Sequence, residues 1–249
     1  MRTVTWLTVS AGKRLIAKGI AAHPAVRKAL DSGTVVITHG TTNGFIAQEV
    51  VDAAFERSRF VTGHAKPADY DGPKLSSELP AVVLKDGNRE DVALDDVVPE
   101  LGPGDVVLKG ANALNYELQQ AAVLIGHPQG GTLATLLGRI VAGRVTLIHP
   151  CGLEKAVPGD LDDTAAILAE PDGRGPTLWV SPGSVFTELE ALEALCDVSA
   201  IPVAAGGIGG AEGACWLAVH GEKTALDQAE AFLDSVRGEP AFPGRSSTS

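Results

Sequence analysis

The chain of 249 residues is 45% hydrophobic and carries a formal net charge of −11, enough apolar material for one large or two modest folded units. The acidic balance argues against nucleic acid or an anionic membrane as partner, and aromatics at only 4% leave little for stacking single-stranded bases. Three cysteines without close spacing, Cys151, Cys196 and Cys215, outline no disulfide framework.

Lys13, Arg14 and Lys18 interrupt the N-terminal segment, and no run approaches ~18 apolar residues, so a cytoplasmic location is expected. In chain order, 3–10 reads as a strand and 13–31 as helix in two pieces, with Pro24 suited to a first turn and Gly33 to a stop. Thr34–Val51 is the most informative stretch. An apolar strand (Val35–Thr38) breaks at Gly40-Thr41-Thr42-Asn43-Gly44 and becomes an amphipathic helix. Residues 62–80, with three Pro and two Gly, read as a loop long enough to cover an active site.

Ala81–Lys85, Asp91–Leu94 and Val106–Lys109 read as short strands set apart by Asp86-Gly87-Asn88 and Gly102-Pro103-Gly104. A helix is expected from Asn115, a strand at Ala122–Ile125, a helix over 132–142 and a strand at Val145–Ile148. This alternation calls for a mainly parallel sheet covered by helices. The Pro/Gly/Asp-rich stretch 157–176 reads as a change of unit. Beyond it come a strand (Thr177–Val180), a helix (Ser184–Leu195), a strand (Ile201–Ala205), a glycine-rich hairpin turn (206–210), a strand (Cys215–His220) and a helix (Lys223–Val236), an order typical of a small ferredoxin-like layer. The expected units are therefore an α/β domain over 1–160, a small domain over 161–240 and a flexible tail over 241–249.

In an open parallel sheet, ligands sit outside the carboxyl ends of the strands. Four polar, glycine-bearing loops follow strands: 39–43, 109–112, 127–132 and 149–155. In the first, backbone N–H groups of a helix start, two threonine hydroxyls and the helix dipole together favour an anion. Gly40, Thr41, Thr42 and Asn43 are thus candidate binding residues, with Gly110 and Asn112 from the second loop and Gly130, Gly131 and Thr132 from the third. Lys109 emerges where a short apolar strand ends and can hold an anion or, if desolvated, act as a base; the alternative is an exposed strand-end lysine. Glu117 reads either as a base or as a first-turn carboxylate complementing a helix dipole. Glu154 reads as a general base, a nucleophile or the partner of Lys155. His39, His127, His149 and Cys151 lack close metal-ligand spacing, so no metal and no cofactor is expected.

The strand-turn-helix TVVITHGTTNGFIAQEV, the later VVLKGANALNYELQQAAVLIG and the segment TLWVSPGSVFTELEAL resemble ribose-5-phosphate isomerase A, and more broadly the superfamily it shares with glucosamine-6-phosphate deaminases, CoA transferases and formyltetrahydrofolate cyclo-ligase. The resemblance implies a Rossmann-like, mainly parallel sheet with helices on both faces and a small ferredoxin-like α+β unit at the C-terminal end. It implies that HGTTNG binds phosphate and that Lys109 and Glu117 stand where that isomerase has its lysine and glutamate. The isomerase's Asp-Gly-Ala-Asp-Glu signature has no counterpart here, which points to a divergent branch with its own substrate. The expected function is an isomerase- or deaminase-like enzyme moving a proton next to the carbonyl of a small phosphorylated or carboxylated metabolite, as a homo-oligomer. The alternatives are acyl or CoA transfer through Glu154, or a non-catalytic metabolite-sensing module.

Overall fold

The computed structural model describes residues 1–62, 70 and 76–241. Most of the loop expected as an active-site cover, and nearly all of the expected tail, lie outside these residues. The chain runs β1 (Arg2–Leu7), α1 (Val9–Ala22), α2 (Pro24–Ser32), β2 (Thr34–Ile37), α3 (Thr41–Val50), β3 (Val82–Lys85), β4 (Asn88–Glu90) and the single turn α4 (Leu94–Val97). It continues with β5 (Val106–Leu108), β6 (Ala113–Asn115), β7 (Gln120–Ile125), α5 (Gly131–Gly143), β8 (Thr146–Pro150) and α6 (Leu161–Leu168). The last third holds β9 (Thr177–Ser181), β10 (Ser184–Phe186), α7 (Glu188–Cys196), β11 (Ser199–Ala205), β12 (Cys215–His220) and α8 (Lys223–Arg237).

The architecture is α/β. A six-stranded sheet has the order β10-β8-β5-β2-β3-β4; β10, β8, β5 and β2 are parallel, and β3 and β4 return antiparallel. Its central strands β2 and β5 carry the apolar runs Val35–Ile37 and Val106–Leu108 because both faces are covered. Val35, Ile37, Val106, Leu108 and Ile148 face a core shared with α1, α2, α3 and α7. The alternate residues Val36, Val107 and Leu147 pack with Leu136 and Ile140 of α5, the period-two division that a pleated strand imposes. The β3–β4 hairpin turns at Asp86 and Gly87, both at positive φ (49° and 76°), as a two-residue loop between twisted strands requires. Among the described residues no helix is long and apolar enough to cross a membrane.

Two smaller antiparallel sheets complete the fold, β1-β12-β11 and β6-β7-β9. They revise several expectations. The helix expected from Asn115 is instead a hairpin: β6 and β7 pair with Asn115 opposite Gln120, and Gln119 takes a positive φ of 53°. Residues 184–186 form β10 at the edge of the main sheet, and α7 starts only at Glu188, where Thr187 and Glu190 make a capping box. The strand expected at 91–94 lies at 88–90, and α6 falls within the stretch read as a break. The strands expected to share one C-terminal layer are distributed: β9 pairs with β7, β10 with β8, and β11 and β12 lie beside β1. One continuous core therefore draws on residues from Leu7 to Val236.

Helix α1 lies at the centre of that core, with Leu15, Ile16 and Ile20 fully buried. It approaches α7 through Gly19, where an added Cβ would sit 2.8 Å from the Ala191 Cα. We expect Gly19→Ala to destabilise the protein by about 1–3 kcal/mol in urea unfolding, because overpacking against backbone outweighs the gain of about 1 kcal/mol in helix propensity. Unchanged or increased stability would show that this helix pair has slack.

Candidate anion-binding site

Strand β2 delivers Thr38, His39 and Gly40 to the carboxyl-end rim of the parallel strands. Gly40 adopts φ 156° and ψ 156°, a conformation L side chains rarely take, and this lets α3 begin at Thr41 directly under the strand end. The helix has no side-chain cap. The Gly40 N–H donates to Phe60 O at 3.0 Å, leaving the first-turn N–H groups of Thr41, Thr42 and Asn43 directed at the rim. Asn43 is fully buried and its Nδ2 donates to Thr38 O (2.8 Å) and Leu108 O (3.0 Å), which ties the ends of β2 and β5 together. Its Oδ1, and Oγ1 of the buried Thr42, have no hydrogen-bond partner. Buried polar atoms are seldom left so.

Strand β5 brings Lys109 to the same rim. Its Nζ has one long contact, Gly110 O at 3.4 Å, and among the described residues no carboxylate lies within ion-pair distance. Burial, and after it the charge of Lys155, pushes the Lys109 ammonium down to about 8. Lys155 Nζ donates to Ala111 O at 2.7 Å. Together with His39, Thr41, Gly110 and Asn112 these groups line a cavity of about 120 Å³, the liquid volume of about four waters. That is room for one small anionic group. A larger cavity of about 310 Å³, lined by Thr34, Lys85, Glu90, Asp96 and Glu100, lies at the opposite, amino end of β2. Its lining carries three carboxylates against one lysine and holds none of the buried unpartnered atoms, so size alone does not identify the site.

Beside the rim lies a second charged group. Lys13 of α1 stands 3.6 Å from Glu154, and both side chains are nearly buried. Glu188, at the start of α7, is 2% exposed and accepts from the Leu153 N–H at 3.0 Å. Burial first, and then the Glu154 charge, pushes its carboxyl up to about 8. Glycines make room for this cluster: a Cβ at Gly12 would overlap Glu188, and one at Gly152 would overlap Glu154. Lys155 is close enough to both Lys109 and Lys13 to lower each, so the rim and the carboxylate pair form one electrostatic unit. Cys151, fully buried, is pushed up to about 12 by burial and is an inert thiol.

Of the sequence candidates, Gly40, Thr41, Thr42, Asn43, Lys109, Gly110 and Asn112 come together around the cavity, and Glu154 lies next to its Lys155 wall. Glu117 does not join them. It is exposed on the β6–β7 turn, because the segment read as a capped helix is a hairpin. Gly130, Gly131 and Thr132 also stay apart, since β7 belongs to another sheet and the loop after it opens α5 against Trp179. His149 has its ring nitrogens at 2.7 Å from Lys109 O and 3.0 Å from Pro182 O, His39 Nε2 is bonded to Leu79 O, and His127 is exposed. Among the described residues no three His, Cys, Asp or Glu side chains converge as metal ligands would. Sequence reasoning missed Lys13 and Glu188 and took Lys155 only as a partner for Glu154. Comparison with protein-family models, with curated proteins and with solved structures finds no match for this chain.

Proposed function

We infer that the protein is an enzyme acting on a small phosphorylated or carboxylated metabolite, in the manner of the sugar-phosphate isomerases and deaminases its motifs resemble. The main sheet is then Rossmann-like, and β1, β12 and β11 with α7 and α8 stand for the ferredoxin-like layer. The observation that carries the reading is the open helix start of α3. Buried Thr42 Oγ1, a hydroxyl able to donate, lacks a partner there, and Lys109 and Lys155, which among the described residues have no carboxylate within ion-pair distance, face the same cavity. An anion satisfies the N–H donors, the threonine hydroxyl and both charges at once. Lys109 polarises the substrate carbonyl beside the anion, and Glu154, paired with Lys13 at 3.6 Å, accepts the neighbouring proton. Glu154 as an acyl-transfer nucleophile is the weaker alternative, because its carboxylate is already paired with Lys13 and hemmed in at Gly152.

Thermal unfolding with inorganic phosphate and a panel of sugar phosphates tests the reading. Ligand at a hundredfold excess over its Kd adds about 2.7 kcal/mol, a rise of roughly 5–10 °C in Tm for a chain of this size. The rise has a pH sign. The Lys109 pKa falls on folding from 10.5 to about 8, so its contribution is present above 10.5 and lost as pH falls through 8. A bound anion restores the charged form, so stabilisation by phosphate is expected to be larger near neutral pH than above pH 9. If no phosphorylated or carboxylated compound raises Tm at millimolar concentration, the reading fails.

A further inference from the structure

Resting on the anion site just described, we propose that Lys109 is a covalent nucleophile that forms an imine with the aldehyde or ketone carbon of a short carbonyl compound carrying a phosphate or carboxylate. Among the described residues the other buried or half-buried lysines have close partners: Lys13 has Glu154, Lys18 has Glu49 at 3.1 Å, and Lys155 donates to Ala111 O at 2.7 Å. Lys109 has three donor positions and a single contact at 3.4 Å. A second ammonium, Lys155, lines the same cavity. An ammonium that is desolvated, short of acceptors and next to a like charge releases its proton readily, and the free amine is the nucleophile. Burial and the Lys155 charge lower the Lys109 ammonium to about 8, in agreement with that geometry.

The cavity supplies the other half of the argument. An anion on the α3 N–H groups of Thr41–Asn43 is held across the rim from Lys109, and the cavity of about 120 Å³ accommodates a short carbon chain between the two. That geometry delivers the carbonyl to the amine and holds it there, which turns an encounter into an intramolecular step. The neutral Nζ attacks the carbonyl carbon, and the π electrons move to oxygen, which takes a proton from solvent to give a carbinolamine. The nitrogen then gives up a proton, the hydroxyl takes one, and water leaves as the C=N bond forms. The protonated imine draws electrons from the adjacent carbon and acidifies its C–H bond. The proton transfer of the proposed function thereby proceeds through an enamine instead of an enediolate.

Reductive trapping on the full chain decides the matter. The protein is incubated near pH 8 with glyoxylate or glyceraldehyde 3-phosphate, reduced with borohydride and mapped by peptide mass spectrometry. At that pH about half of Lys109 is neutral, against well under 1% of a lysine at the ordinary value, so Lys109 is expected to be labelled roughly tenfold or more above any other lysine once the lower basicity is discounted. Inorganic phosphate is expected to suppress that label. Lys109→Arg, which keeps the charge, is expected to lose it while still gaining Tm with phosphate; the wild-type map decides the question without the variant should that variant not fold. If phosphate raises the Tm but the label spreads over exposed lysines or misses Lys109, the imine falls and the anion site stands. Labelling of Lys109 that phosphate does not suppress overturns delivery by the anion. Absence of both label and phosphate stabilisation removes the imine and the anion site together.

Discussion

Glu188→Gln is expected to stabilise the protein by on the order of 3 kcal/mol above pH 8, and to change it little at acid pH. Glu188 is buried at the start of α7, and its carboxyl is raised from 4.5 to about 8. Its folded state therefore binds a proton that the unfolded chain releases in that window. The contribution is fully present below 4.5 and is lost as pH rises through 8, so wild-type stability declines across the interval. Each pKa unit is worth 1.36 kcal/mol, a ceiling of about 5 kcal/mol, and relaxation of the buried site around the charged carboxylate lowers it toward about 3 kcal/mol. Glutamine keeps the acceptor for the Leu153 N–H and offers an NH₂ toward Glu154, whose Oε1 has no hydrogen-bond partner. Urea unfolding of both proteins at a series of pH values measures this. Parallel curves would mean that Glu188 does not carry the proton.

The same proton matters for the chemistry. Two carboxylates in one low-dielectric site do not both ionise freely, and here Lys13 biases the choice, because it lies 3.6 Å from Glu154. Glu188, buried and without a cation of its own, is the member that keeps the proton. A pair whose environments drive its members apart in this way is the usual arrangement for dividing acid and base roles. The start of α7 works against the division, since a helix N-terminus favours the charged form; full burial outweighs it.

Local patterns were legible wherever neighbouring residues carry the signal. The strand-turn-helix at 34–51, the break at Pro24 and the helix expected over 132–142, observed at Gly131–Gly143, follow from periodicity and from Gly and Pro alone. The errors come from segments decided by distant partners. Asn115-Tyr116-Glu117 has the look of a capped helix start, but Leu114 and Ala121 are buried in the common core and Tyr116 donates to Glu190 at 2.6 Å, contacts only the hairpin provides. Val185 and Phe186 are apolar beside a helix and read as part of it; in the fold they pair with His149 and Pro150. Half of the site was equally hidden. Lys13 looks like a polar break in an apolar helix, and Glu188 like a first-turn carboxylate after a good cap. Only tertiary packing brings them to residue 154. The one local hint was Gly12 and Gly152, small residues beside charged ones, where a Cβ would have filled the space the carboxylates take.

Asn43→Ala is expected to lower stability by about 2–4 kcal/mol and to abolish the rise in Tm with phosphate. The amide is fully buried, and its two donated bonds hold Thr38 O and Leu108 O at the ends of adjacent strands. Truncation leaves those carbonyls short of a donor, at about 1–3 kcal/mol for each group stranded, and opens a small void. Leu108 O still receives the Thr38 N–H and hydroxyl, which keeps the total below the sum. Loss of phosphate binding alone would not separate a ligand role from a collapsed rim, so Thr42→Val supplies the contrast. The Thr42 hydroxyl is buried without a partner, and an apolar group of the same shape removes an unsatisfied atom at no cost in packing. That variant is expected to be as stable as wild type or slightly more so, while its gain in Tm with phosphate shrinks. A polar residue whose removal helps the empty protein and harms only the bound one is kept for its ligand. Should Thr42→Val instead lose stability and retain its full response to phosphate, the hydroxyl serves the fold, and the anion site loses the buried donor that defines it.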